Sequence, residues 1–206
     1  MHRRTLLLGA GALATAFMPG ALIPEAWADA NAAETFVSTN IQAGFDILND
    51  RNASPAERRD RFAAFLLGLT DARRVALFLL GHYAANASQA DLDAYVAAYQ
   101  DFVLGVYQSY FQLYAGQSLR VISSRERAPD DFVVTTNMVD PVNRQANPLP
   151  VDFRVRTDGA KPVLVDVAVA GIWLALAQRD QFQSVLVQNN GDIKALSAHL
   201  RSMRKG

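Results

Sequence analysis

Residues Ala87–Gly116, A-S-Q-A-D-L-D-A-Y-V-A-A-Y-Q-D-F-V-L-G-V-Y-Q-S-Y-F-Q-L-Y-A-G, decide how the rest of the chain is read. Ser88 can accept from the amide three residues on, and Asp91 can reach back to the Ser88 amide, which is a capping box and a helix start. Apolar residues then recur at helical spacing through Leu92, Tyr95, Val96, Tyr99, Phe102, Val103 and Val106, and Gly116 is a natural stop. From Phe102 onward Leu104, Tyr107 and Phe111 make a second face apolar as well. A helix apolar nearly all round must be covered on more than one side. One covering is ordinary core. The other is a cavity on one of its sides.

Composition narrows the function classes. A length of 206 residues suits one domain once a leader is removed. The 20 basic residues balance 20 acidic ones, without the basic excess that nucleic-acid binding needs, so no nucleic-acid partner is expected. With no cysteine, disulfides, thiol nucleophiles and cysteine metal sites are excluded.

The first 30 residues read as an address, leaving a single domain over 31–206. Arg3 and Arg4 precede an apolar run from Thr5 to Met18, too short to span a bilayer. Pro19-Gly20 breaks the run, and small residues place cleavage near Ala28 or Ala30. The R-R-T-L-L arrangement resembles a twin-arginine signal, and an ordinary secretory leader accounts for it equally. Either route takes the protein out of the cytoplasm.

Upstream of the organising helix the pattern predicts a helix over Glu34–Asp50. Ser54-Pro55-Ala56-Glu57 opens a second one, which buries Phe62, Phe65, Leu66 and Leu69. Thr70 or Asp71 caps a third, from Ala72 to about Ala85. Downstream the period falls to two, with strands at Ser118–Ser123, Phe132–Val139, Val151–Thr157 and Val163–Ala170. In the third, Val151, Phe153 and Val155 share a face; in the fourth, Val163, Val165, Val167 and Val169 do. Short connections favour antiparallel pairing. Two helices follow, Ile172–Val187 and one capped by Asp192. The fold class is α+β: an antiparallel sheet of about four strands, curved against a helical layer, with an apolar pocket between them. The sheet's valine face is expected to meet the aromatic side of the organising helix.

The search for catalytic chemistry returns absences. His82 and His199 lie far apart in sequence, with no second ligand at metal spacing. No G-x-S-x-G elbow, phosphate loop or G-x-G-x-x-G occurs. Asp91 and Asp93 face different sides of a helix. His82 beside Tyr83 is the one general-base candidate, in a rival reading as a small cone-shaped enzyme. The main reading has no enzyme, no catalytic residue, no metal and no cofactor. The arginines Arg51, Arg58, Arg59, Arg61, Arg73 and Arg74 read as a solvated face, with a docking surface as the alternative.

Several stretches together resemble the MlaC family of periplasmic phospholipid carriers, also called the toluene-tolerance family. They are Leu80-Gly81-His82-Tyr83, Tyr107 with Tyr114-Ala115-Gly116-Gln117, and Val139-Asp140-Pro141. Asp152-Phe153-Arg154-Val155-Arg156, Asp166 to Gly171, Gln178 to Phe182, and Gly191-Asp192-Ile193 with Leu196 and Leu200 follow in the family's order, so the resemblance spans about Thr35 to Met203. It implies a lipid ligand, acyl chains held between sheet and helices, and shuttling between an outer-membrane lipoprotein complex and an inner-membrane ABC transporter with an MCE-domain protein. Two positions depart from the family: Ala170 stands where an acidic residue is common, and Trp173 where a small polar one is. Ser54 to Arg59 and Gln178-Arg179 resemble a branch associated with hopanoid-producing bacteria, which implies a polycyclic lipid as the alternative ligand. By facing and aromatic content, the expected lipid-lining residues are Leu79, Tyr83, Phe102, Val106, Tyr110, Phe153, Val155, Val167, Val169 and Trp173.

Overall fold

A computed structural model describes residues 25–111, 116–141 and 148–203, with side chains over 32–106, 116–141 and 148–203. Residues 1–24 of the expected leader and the side chain of Tyr110 lie outside the described residues. Among the described residues, six α-helices and five strands follow in the order α1 Glu25–Leu48, α2 Pro55–Gly68, α3 Ala72–Leu80, α4 Gln89–Phe111, β1 Ser118–Ala128, β2 Asp131–Val139, β3 Leu149–Arg156, β4 Val163–Val169, β5 Ile172–Trp173, α5 Leu174–Gln188 and α6 Ile193–Met203. The sheet runs β1-β2-β3-β4-β5, antiparallel throughout and not closed. None of the described helices is long and apolar enough to cross a membrane.

Local signals set most boundaries. Both halves of the α2 capping box form: the Glu57 amide donates to Ser54 Oγ at 3.2 Å and the Ser54 amide to the Glu57 carboxylate at 2.7 Å. Asp71 caps α3 by accepting from the Arg74 amide at 2.9 Å. At α4 the Asp91 amide donates to Ser88 Oγ at 3.1 Å, and the reciprocal bond comes from the Ser88 hydroxyl rather than its amide. Asp91 then pairs with Lys194 while Asp93 pairs with Arg73, so the two carboxylates do serve different neighbours.

Four element boundaries need correction. Helix α1 begins at Glu25, nine residues before Glu34, because the alanine-rich stretch there favours helix. The third helix stops at Leu80, where Gly81 takes φ +58°, and the chain continues as a 3₁₀ turn, Gly81–Asn86. Strand β1 extends to Ala128, because its polar run lies on the sheet's edge, where one face meets solvent. The predicted helix from Ile172 begins only at Leu174. Ile172 and Trp173 instead pair with Val169 and Ala168 as a fifth strand, across a two-residue turn in which Ala170 (φ +50°) and Gly171 (φ +82°) are both left-handed.

The largest correction concerns what covers the sheet. Helix α1, not α4, lies against β1, β2 and β3, and its Ala33 and Val37 share a buried cluster with Phe132, Val134 and Val155. Helix α4 packs on α2, α3 and α6. There Tyr95, Val96, Tyr99 and Val103 join Phe182, Leu196 and Leu200 in a second cluster, and the Tyr95 hydroxyl donates to the Ala76 carbonyl at 3.2 Å. Burial, with Tyr99 beside it, pushes the Tyr95 phenol well above its usual range.

Strand β4 departs from simple alternation. Arg154 pairs with Asp166 but the next residue, Val155, pairs with Leu164, so Val165 is bulged out of the ladder. Val167 and Val169 stay on the face of Phe153 and Val151, whereas Val163 lies opposite Arg156 on the other face. Leu164, not a valine, therefore turns in beside Val155 and is buried to 7% exposure.

Candidate functional site

Among the described residues, two largely apolar cavities lie between sheet and helices. The first, about 180 Å³, sits on the face covered by α1 and α2. Phe36 and Phe45 of α1, Phe62 and Phe65 of α2, and Phe153 and Leu164 of the sheet line it. Asn40 is the polar side chain on its wall, and its amide nitrogen donates to the Phe36 carbonyl at 2.7 Å. The face of α2 read as buried is half-buried because it borders this space. Gly44 faces the same rings: a Cβ there would meet both Phe62 and Phe65 at 3.4 Å, an ordinary contact distance.

The second cavity, about 240 Å³, lies at the β4 edge. Tyr99, Val103 and Val106 of α4 face Leu164 and Val167 across it, so the organising helix meets the sheet through a space rather than by packing. Its polar wall groups are Thr70, Asp166, Gln178 and Gln181. Asp166 accepts the amides of Val167 at 2.8 Å and Ala175 at 2.9 Å. Burial raises its pKa, and those amides, with the charges of Arg154 and Arg127, offset only part of the rise.

Behind β3 and β4 the charges are paired. Asp131, 4% exposed, takes a two-pronged contact from Arg154 at 2.9 and 2.7 Å, with Arg127 and Arg156 nearby. Burial alone would raise its pKa, but the Arg154 bonds and the surrounding guanidinium charges hold it below the usual carboxylate range. Among the surface arginines, Arg59, Arg61, Arg73 and Arg74 each sit against an aspartate, as a solvated face would.

The residues expected at the site are distributed unevenly. Val106 and Val167 line the β4-edge cavity and Phe153 the aromatic one. Leu79 and Val155 are 0% exposed within the two packed clusters. Phe102 packs edge-on against Phe182. Val169 and Trp173 lie where β4 turns into β5. Tyr83 borders a wider polar cleft of about 660 Å³ with His82, Asp91, Asp192 and Lys194. His82 is exposed there and its ring lies 4.0 Å from that of Tyr83. No cluster of three or more histidine or acidic residues able to hold a metal occurs among the described residues.

Sequence reasoning missed the phenylalanines of α1 and α2 as cavity lining, and it missed Leu164. For the helices the signal was present: two amphipathic segments richer in phenylalanine than a small sheet needs for cover. Leu164 had no such signal, since the bulge that turns it inward arises from strand pairing.

Comparison with known proteins follows this geometry. The family model described as MlaC protein matches residues 38–202. Among solved structures, the chain is similar to a phospholipid-binding protein from Ralstonia solanacearum, determined in complex with a phospholipid. The two are 17% identical, with a TM-score of 0.64, covering 86% of this chain and 97% of that one. No curated protein matches the chain in sequence.

Proposed function

This chain belongs to the MlaC family, and from that premise we propose that it is a lipid carrier of the periplasm, sheltering acyl chains in the two cavities between its sheet and helices. The observation that carries the reading is the pair of apolar spaces, one of them walled by phenylalanines with a single polar side chain, Asn40, whose amide nitrogen donates within its own helix. The phospholipid held by the Ralstonia solanacearum protein of like fold supports it.

The energetics suit a carrier without a catalytic group. Burying acyl carbons is worth about 0.8 kcal/mol per CH₂, so about ten sheltered methylenes gain roughly 8 kcal/mol before ordering costs. Loss of the lipid to water is then slow, and a membrane-bound partner must open the site. In this reading the protein moves phospholipid between an outer-membrane lipoprotein complex and an inner-membrane ABC transporter bearing an MCE-domain protein. Its exported form begins near Ala28 or Ala30.

Mass spectrometry of an organic extract of the purified protein tests the core of the proposal. Stoichiometric co-purifying lipid is the expected result. Repeated lipid-free preparations that also take up no lipid from vesicles would overturn it. Transfer from donor vesicles to a reconstituted inner-membrane complex tests the shuttling step.

A further inference from the structure

Among the described residues, Leu164 alone lines both apolar cavities. Resting on the carrier reading, we propose that Leu164 is a fixed divider, giving the site two single-chain compartments rather than one undivided pocket. Three observations carry this. First, size: at about 180 and 240 Å³ each cavity falls short of the roughly 300 Å³ at which ligand pockets begin, while the two joined fall inside that range. A lipid with two acyl chains must therefore use both, one chain on either side of Leu164.

Second, rigidity. The Leu164 amide donates to the Leu69 carbonyl at 2.8 Å, and the residue bridges in parallel to Thr70, which ties β4 to the α2–α3 connection. On its other edge it pairs with Val155. A residue whose backbone is held from both edges of its strand, and whose side chain is 7% exposed, is a post, not a swinging gate. Third, the bulge at Val165 is what turns Leu164 inward; regular alternation would put Val165 on that face and leave no leucine between the cavities.

The compartments also differ in chemistry. One is phenylalanine-lined, while the other carries Asp166, Gln178 and Gln181. Flexible chains can straddle a leucine, whereas a fused-ring lipid cannot bend around it. The polycyclic ligand is thereby disfavoured, and two separate single-chain amphiphiles become acceptable guests.

The test uses the exported chain stripped of lipid and titrated with cis-parinaric acid, counting bound molecules by native mass spectrometry. Two per wild-type chain are expected, falling to one in Gly44→Leu, which fills the aromatic cavity, and to one in Val103→Phe, which fills the other. Leu164→Ala joins the compartments and should gain binding of the fluorescent sterol dehydroergosterol by tenfold or more, while Leu164→Met, which keeps a divider of like volume, should not. One parinaric acid per wild-type chain, or equal sterol binding by wild type and Leu164→Ala, overturns the divider and leaves the carrier standing. Failure of wild type to bind parinaric acid and diacyl phospholipid alike overturns the carrier reading and the divider with it. The filling variants keep the count decisive if Leu164→Ala does not fold.

Discussion

The carboxylate of Asp166 accepts the backbone amide of Ala175 at 2.9 Å, so a side chain on β4 caps the start of α5, whose own N-cap residue, Trp173, supplies no side-chain bond. The contact ties the strand that walls the β4-edge cavity to the helix that covers it. It also places an acid against helix amides, where negative charge is favoured.

Removing that cap separates packing from charge. Asp166→Ala should cost about 1 kcal/mol, as other lost caps do. Asp166→Asn retains an acceptor and should cost less. Burial raises the Asp166 pKa in the folded state, so folding favours its protonated form. Its contribution to stability therefore declines as pH rises from about 4, the unfolded value, through the higher folded value. Urea denaturation across pH 4–7 should show Asp166→Asn gaining on wild type as pH rises; a gap independent of pH would contradict the assignment.

Asp131 gives the opposite slope. Its folded pKa is held below the unfolded value, so its stabilisation is present above about pH 4 and disappears as pH falls through the lower folded value. Asp131→Asn removes the charge that Arg154 faces from a nearly closed position, and should cost about 3 kcal/mol at neutral pH. The cost should shrink in acid, where wild type loses the same charge. Thermal melts at pH 7 and pH 3 check this.

The hairpin turn between β4 and β5 holds an alanine at φ +50°, a conformation that suits Asn, Asp or Gly. Ala170→Asn or Ala170→Gly should stabilise by about 1 kcal/mol, raising Tm by about 2–4 °C for a domain of this size. Gly171→Ala, at φ +82°, should lower it. Differential scanning calorimetry distinguishes the signs.

Gly191 turns the chain from α5 into α6 at φ +78°, and a Cβ there would stand 2.8 Å from the Tyr83 ring. Gly191→Ala thus meets a clash as well as backbone strain, and should cost about 2–3 kcal/mol. In a Tyr83→Ala background the clash is gone and only about 1 kcal/mol of strain should remain. A double-mutant cycle on denaturation midpoints measures the difference.

His82→Ala should leave lipid co-purification unchanged and stability within about 0.5 kcal/mol, because the side chain is exposed. Loss of a turnover activity on this change would revive the enzyme reading.

Legibility divided along the range of the interactions. Ser54 with Glu57 and Asp71 with Arg74 are contacts within one helical turn, so capping residues announced α2 and α3 where they occur. The period-two pattern announced β2, β3 and β4 for the same reason. Site residues fared differently: Val106, Val167 and Phe153 line the cavities, while Leu79 and Val155, equally apolar, are packed solid. Apolar character shows that a side chain leaves water. It does not show whether protein or empty space receives it.

The amino-acid sequence by itself determined the α+β class, the antiparallel pairing, most element boundaries and the family resemblance, since each rests on neighbours a few residues apart or on an ordered series of motifs. Tertiary structure alone decided that α1 rather than α4 covers the sheet, that Asp166 caps a helix beyond the next hairpin, and that a bulge at Val165 turns Leu164 between two cavities. Those outcomes depend on which surfaces meet after the strands have paired, and a shift of one residue in that pairing exchanges the faces of a strand.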